Sequence, residues 1–432
     1  METTVNRPTS LQGTISVPGD KSISHRALLL NSMSSGPAKI SGLSFGEDVR
    51  SSIECLKQLG TLIQTSIEAE TATITGINRA GFRAPSNVLN AGNSGTTLRM
   101  LAGILTAQPF SSTISGDPSL LSRPVKRIIT PLTKMGARIS GRDNNSLPPL
   151  IIHGTKLSGI EYTLPIPSAQ VKSCLLLAGL SADSPTTIHQ PVPSRDHTER
   201  MLSAMGAKIN VSGNTITLEP GPLAPVDTKI PGDISSAAFW MVAGCIHPNS
   251  KVKLVNVGIN PTRSGILEIL ANMGADIVIE HSESQGGEPV ADITASSSTL
   301  HGADISGDIV PSLIDEIPIL SVAACFAEGT TTFHDAAELR MKESDRITTT
   351  VSELRKLGAK IDEHPDGMTI HGVGSLNGGI CEGRNDHRLA MSLGIAGLAS
   401  EEPISIFGAE ISSVSYPSFW EDIERISTGN NV

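Results

Sequence analysis

Aromatic residues are scarce in this sequence: eight Phe, two Tyr and two Trp make up 3% of 432 residues. The core must therefore be built from Leu, Ile, Val and Ala, and the 41 glycines suit helices packed at short distance. Net positive charge is also missing. At a formal net charge of −10 the chain offers no extended surface to nucleic acid or to an anionic membrane, so any basic site has to be local. Cysteine is sparse and odd in number. Cys55, Cys174, Cys245, Cys325 and Cys381 are scattered without metal-ligand spacing, which excludes a disulfide framework and points to buried thiols in a reducing compartment. Met1 to Gln12 hold no hydrophobic signal core and no apolar run approaches the length of a membrane span, so a cytosolic protein is expected. A chain this long exceeds one core and implies two or three domains.

Against that acidic background, Gly19-Asp20-Lys21-Ser22-Ile23-Ser24-His25-Arg26 runs into Ala27-Leu28-Leu29-Leu30. It reads as a helix start aimed at an anion. Ser22 is expected to cap a first turn whose unpaired N–H groups and dipole carry positive potential, Lys21 and Arg26 add formal charge, and the apolar residues bury. Singly, an ordinary capped core helix beside two cations explains the stretch equally well. Recurrence separates the two readings. Ser94 (SGTTLRMLAGIL), Ser168 (SAQVKSCLLLAGL), Ser235 (SSAAFWMVAGCI), Asp315 (DEIPILSVAACFA) and Asp386 (DHRLAMSLGIAGL) open similar small-residue helices, and the six starts differ by 72, 74, 67, 80 and 71 residues. That period is too long for a solenoid repeat and long enough for a small packed α/β unit.

Inside each period a second helix ends on glycine. Gly60, Gly136, Gly206, Gly274 and Gly358 lie 38, 42, 38, 39 and 43 residues after their helix starts, where a left-handed residue without a Cβ closes a helix. Short strands follow, as in Thr71–Gly76, Leu150–Gly154, Asn214–Leu218 and Met368–Gly372. Each unit thus reads helix, strand, helix, strand, strand. The sixth runs out of chain at Val432, and the strand Gly13–Val17 is expected to complete it. Pro18-Gly19-Asp20 recurs as Pro231-Gly232-Asp233 after a proline-rich stretch. The expected division is one domain of residues 20–230 and a second of 1–19 plus 231–432, with hinges near 18–20 and 231–233 and a ligand cleft between pseudo-threefold halves.

Eight cations gather near the repeated starts: Lys21, Arg26, Arg123, Lys172, Arg195, Lys342, Arg346 and Arg388. Any one alone is most simply a solvated surface charge. Together, in an acidic chain, they suit two phosphorylated carboxylates, each phosphate carrying about −1.5 to −2. Asp315 and Glu343 lie closest to the pattern. Among so many cations they read as proton carriers, although Asp315 could equally cap a helix and Glu343 could pair with Lys342 or Arg346.

KSISHRALLL, NAGNSGTTLRM, SAQVKSCLLLAGL, GDISSAAF, LIDEIPIL, MKESDR and NDHRLAM, in this order across nearly the whole chain, resemble the 5-enolpyruvylshikimate-3-phosphate synthase family. SAQVKS with SRDHTER is similar to its bacterial class II form. The resemblance implies an α/β enolpyruvyl transferase fold of two domains, six βαβαββ repeats, three per domain, with pseudo-threefold symmetry in each. It implies transfer of enolpyruvyl from phosphoenolpyruvate to the 5-hydroxyl of shikimate 3-phosphate with release of phosphate, in chorismate and aromatic amino acid biosynthesis, without metal or organic cofactor. A monomer inhibited by glyphosate is expected. On the matching motifs, shikimate 3-phosphate would be held by Lys21, Ser22, Arg26, Ser168, Ala169, Gln170, Arg195, Asp315 and Lys342. Phosphoenolpyruvate would be held by Lys21, Gly95, Thr96, Arg123, Gln170, Arg346 and Arg388. Asp315 would be base toward the 5-hydroxyl, Glu343 acid toward the methylene, and Lys21 a second proton carrier. One departure is Val414, where many family members place a Lys three residues before a proline. Two alternatives are UDP-N-acetylglucosamine enolpyruvyl transferase, which typically uses a Cys absent here from Gly116–Arg127, and a non-catalytic sensor of phosphorylated metabolites, which would not need Asp315 and Glu343.

Overall fold

The computed structural model describes residues 1–281 and 287–428. The chain forms two compact units: Met1–Pro18 with the sequence from Pro231 onward, and Gly19–Ile230, with which Gly287 and Glu288 also group. Each has its own core. That of Gly19–Ile230 is almost purely aliphatic. The other gathers five of the few aromatics into one cluster, Phe239, Trp240, Tyr416, Phe419 and Trp420, with Phe419 at 5.0 to 5.7 Å from each of the other four rings. Small residues do let helices approach closely. A Cβ on Gly103, in helix Gly95–Leu105, would lie 2.3 Å from the carbonyl oxygen of Cys174 in helix Ala169–Gly179.

Among the described residues the strands make six sheets, five of them four-stranded on one plan. A leading strand lies parallel to the next, and a hairpin adds two antiparallel strands, as in Leu89–Asn90, Ser111–Ser115, Leu147–His153 and Arg138–Gly141. The leading strands are exchanged along the chain. Leu11–Ile15 precedes the first helix, Lys21–Met33, yet runs parallel to Ser250–Gly258, while Thr228–Lys229 precedes helix Ile234–Ile246 yet runs parallel to Ser35–Ser41. The strand expected at Gly13–Val17 is therefore Leu11–Ile15, and it does not complete the sixth sheet. Glu2–Val5 does so, antiparallel to Ile404–Phe407 beside Gly379–Glu382. It buries only Val5, so its sequence carries almost no strand pattern.

Helix starts also differ in detail from the expectation. Ser94, Ser168 and Asp386 are caps, accepting from the backbone N–H of Thr97, Val171 and Arg388. Ser22 and Ser235 are not. The caps are the aspartates of the two Pro-Gly-Asp motifs: Asp20 accepts from Ile23 N at 2.8 Å and Asp233 from Ser235 N at 2.9 Å. A carboxylate just upstream outcompetes a hydroxyl for the positive helix end. Asp315 lies inside the 3-10 turn Ile314–Glu316, ahead of helix Ile317–Phe326, with its side chain on Arg346. Second helices close on Gly60, Gly136, Gly206, Gly274 and Gly358 at φ of 95, 94, 81, 86 and 88°.

The expectation about apolar runs needs correcting. Gly307–Phe326 is a 20-residue helical stretch whose most apolar 18 residues have a mean hydropathy of 1.7, long and apolar enough to span a membrane, and 72% of those 18 are buried within the protein as a core element. All five cysteines are free and buried.

Candidate active site

In the unit Gly19–Ile230 the three repeat helices bring their first turns to one polar region. Lys21 Nζ is 3.1 Å from Asp48 Oδ2, a partner the motifs did not single out. Arg26 is buried, donating to Thr198 Oγ1 at 2.7 Å, Ser173 Oγ at 2.9 Å and the Ser22 carbonyl at 2.9 Å, so it braces the helix start. His25 lies between these cations. Burial first, then the charges of Lys21 and Arg26, hold its imidazole well below the ordinary value. This neutral ring is 2.8 Å from Ser52 Oγ, which is 2.8 Å from Thr97 Oγ1, which donates to the Ser94 cap at 2.8 Å. The first repeat's helix is thereby tied to the second's start.

Gly95 and Thr96 form the first turn behind Ser94. Gln170 Nε2 donates to Thr96 Oγ1 at 3.0 Å, and Gln170 Oε1 accepts from Arg99. Arg99 was not singled out in the sequence, yet it is the one charged residue in an otherwise neutral helix and is only 4% exposed, a signal that was available. Arg123 donates to the side chain of Asn93 at 2.5 Å and to Ser119 Oγ at 3.1 Å. Ser168, Ala169 and Gln170 open the third repeat's helix, and Arg195 is half-buried just before helix His197–Ala204. Lys172 leaves the set of cations facing a ligand: fully buried, it pairs with Glu199 at 2.6 Å and donates to the Ser194 carbonyl at 3.0 Å.

In the other unit Arg346 is the hub. Its guanidinium binds three carboxylates: Asp386 through Nε at 2.7 Å, Asp315 through Nη1 at 3.1 Å and Glu343 through Nη2 at 2.5 Å. Burial alone would make this guanidinium less basic, but the charges of Asp386, Glu343 and Asp315 outweigh it and raise its pKa. Asp386 is fully buried, which would raise its carboxyl; the charge of Arg346 wins and holds it below the ordinary range. Asp315 and Glu343 keep 12% and 17% side-chain exposure, so both carboxylates are ordered and reachable. Lys342 Nζ stands 3.6 Å from Asp315, and Arg388 donates to the Asp315 carbonyl at 3.2 Å. Beneath them Asp233 pairs with Arg263 at 2.8 Å. Burial opposes its ionisation, but the charges of Arg263 and Arg388 and hydrogen bonds from Arg263 and Ser235 N bring it down to about 2.

Val414, 5% exposed, ends the 3-10 helix Ala409–Val414, so that position carries a buried apolar side chain. Among the described residues no group of three or more His, Cys, Asp or Glu side chains could hold a metal ion.

The fold and these two clusters define a two-unit α/β protein whose helix starts pair local cations with reachable carboxylates. The chain matches the family EPSP synthase (3-phosphoshikimate 1-carboxyvinyltransferase) over residues 5–423. It is 50% identical over 431 residues to the 3-phosphoshikimate 1-carboxyvinyltransferase of Herpetosiphon aurantiacus, covering 99% of each chain. It is also 50% identical over 430 residues to that of Crocosphaera subtropica, covering 99% of this chain and 95% of the relative. The solved structure of EPSP synthase from Acinetobacter baumannii superposes with a TM-score of 0.88 at 43% identity over 98% of both chains. The chain belongs to the EPSP synthase family.

Proposed function

We infer that the protein transfers the enolpyruvyl group of phosphoenolpyruvate to the 5-hydroxyl of shikimate 3-phosphate and releases phosphate. The observation that supports this is the Arg346 hub, which brings the partly exposed carboxylates Asp315 and Glu343 together with Lys342 and Arg388, the mixture of carboxylates and cations that proton transfer beside an anion calls for. An alcohol adding to an enol phosphate must lose its proton while the methylene carbon gains one, and no redox group is required.

In the proposed sequence Glu343 enters the cycle protonated and Asp315 ionised; the 5-hydroxyl oxygen bonds to C2 of phosphoenolpyruvate as its proton passes to Asp315, and Glu343 gives its proton to C3, which becomes a methyl group. Elimination reverses the transfer. Glu343 takes a proton from the methyl carbon, the C2–O bond to phosphate breaks, and the leaving phosphate receives the proton held by Asp315, directly or relayed through Lys21, so that every group returns to its starting state. Lys21, Ser22, Arg26, Ser168, Ala169, Gln170, Arg195 and Lys342 are assigned to shikimate 3-phosphate. Gly95, Thr96, Arg123, Arg346 and Arg388, with Lys21 and Gln170, are assigned to phosphoenolpyruvate, whose carboxylate and phosphate suit guanidinium forks. The protein is taken to be a glyphosate-sensitive monomer, and its buried, unpaired thiols fit the cytosol.

The decisive assay is phosphate release from phosphoenolpyruvate with shikimate 3-phosphate and then with UDP-N-acetylglucosamine. Release with the second acceptor alone would overturn the assignment. In the same assay Asp315→Asn should bind substrates nearly as before yet turn over about 10²-fold more slowly or worse. Turnover close to wild type removes Asp315 from the chemistry.

A further inference from the structure

The loop that carries Lys342 and Glu343 is short and polar and has no apolar anchor of its own. Lys342 follows the 3-10 helix Ala337–Met341 in extended conformation, and Asp345 caps helix Arg346–Lys356, accepting from Thr348 N at 3.1 Å. Met341, the apolar residue nearest the loop, is 57% exposed and packs nothing down. Polar contacts hold the loop instead: Glu343 is tied to Arg346 at 2.5 Å and Ser344 Oγ to Asp386 at 3.0 Å, and a further anchor must fix the start of the loop to its base.

Arg340 does so geometrically. Its Nη1 donates to Asp345 Oδ2 at 2.8 Å and to Thr348 Oγ1 at 3.0 Å, closing the chain from 340 to 345 into a ring around Lys342 and Glu343. The rest of the fork grips the neighbouring hairpin: Nε donates to the Pro365 carbonyl at 2.7 Å, and Nη2 to the His364 carbonyl at 2.6 Å and to Glu363 Oε1 at 3.0 Å. Glu363 Oε1 also accepts from Thr348 Oγ1 at 2.7 Å, which locks the two anchors together. All five N–H donors of the guanidinium are used, two of them on carboxylates, in a planar arrangement that an ammonium cannot reproduce.

We propose that Arg340 is a positioning residue for the reaction: it closes the Lys342–Glu343 loop onto the hairpin Lys360–His364/Gly367–His371, and so sets where the Glu343 carboxylate meets the methylene carbon and where the Lys342 ammonium meets the acceptor substrate. The inference rests on the enolpyruvyl-transfer reading. Arg340 touches no reacting atom. Its side chain is 26% exposed and its acceptors lie at the start of helix Arg346–Lys356 and at the end of strand Lys360–His364 with Pro365, outside the hydrophobic core, so its removal frees the loop more than it weakens the core.

The test begins with wild-type phosphate release from phosphoenolpyruvate and shikimate 3-phosphate. Failure there refutes the functional reading and not the role of Arg340. With the wild type active, Arg340→Ala should lower kcat about tenfold to a hundredfold, the scale of a catalytic group displaced by about 1 Å, and raise KM for shikimate 3-phosphate more than KM for phosphoenolpyruvate. Guanidinium chloride, well below denaturing concentration, should restore part of kcat in this variant, whereas ammonium chloride should not and the wild type should gain nothing. Arg340→Lys keeps the charge without the fork, serves if the alanine variant does not fold, and should lose kcat with its melting temperature close to wild type. Arg340→Lys with a kcat within twofold of wild type overturns the proposal, as does a folded Arg340→Ala that guanidinium leaves unrescued.

Discussion

A methyl group added at Gly95 would point its carbon to 2.6 Å from Arg99 Nη1 and 3.7 Å from Arg123 Nη1. The clashing atom is the far end of a flexible side chain, so the helix survives, and Ala in place of Gly even gains roughly 1 kcal/mol of helix propensity. What moves is the Arg99–Gln170–Thr96 relay, at residues assigned to phosphoenolpyruvate. Gly95→Ala is therefore expected to weaken glyphosate, the longer molecule, more than phosphoenolpyruvate, with thermal stability nearly unchanged. Equal rises in the inhibition constant and in KM would show that Gly95 serves packing. A second consequence at this scale concerns acid. The Asp233 carboxyl lies at about 2 in the folded protein against an ordinary 3.8. A depressed carboxyl stabilises the fold above its unfolded value, and that stability is lost as pH falls through the folded one. The difference is worth roughly 2 kcal/mol, fully present above pH ~4 and gone near pH 2. Denaturant titrations of wild type and Asp233→Asn should show the wild type losing this increment over that window. A variant curve of the same slope would count against it.

Which residue caps a helix is a testable matter at the scale of the element. Asp20→Ala should destabilise the protein by about 1 kcal/mol, because Ile23 N loses its acceptor, while Ser22→Ala should cost no cap energy. The reverse order in a denaturation series would restore the serine as cap. The case illustrates what was legible. The six-fold recurrence, the glycine helix ends and the strand after each were readable because they rest on local chemistry that every copy repeats. The cap assignments failed at Ser22 and Ser235, where two acceptors lie within two residues of each other and only the backbone conformation chooses between them. Glu2–Val5 was invisible because an edge strand with one buried side chain has no alternation to read. The cations near helix starts could be picked out as a set, but Lys172, buried and paired, could not be told from the rest. Its partner Glu199 is 27 residues away in the sequence and becomes its neighbour only through packing. Arg340 is silent in the sequence for the same reason, since its five acceptors come from two separate segments.

The residues assigned to the substrates belong to two units, and the proposed reaction needs both sets on one pair of molecules. Saturating shikimate 3-phosphate, whose assigned residues come from both units, is expected to reduce the radius of gyration in small-angle scattering. Unchanged scattering at saturation would argue that the units do not respond. The exchanged leading strands matter at a different moment, during synthesis. By the time residue 230 has been made, Gly19–Ile230 holds every strand of its three sheets, Thr228–Lys229 included. Leu11–Ile15 must still wait for Ser250–Gly258, and Glu2–Val5 for Ile404–Phe407, some 400 residues later. One unit can thus assemble on the ribosome while Leu11–Ile15 is still unpaired, and Glu2–Val5 stays unpaired long after that, so the strand pairing of greatest sequence separation closes late in synthesis.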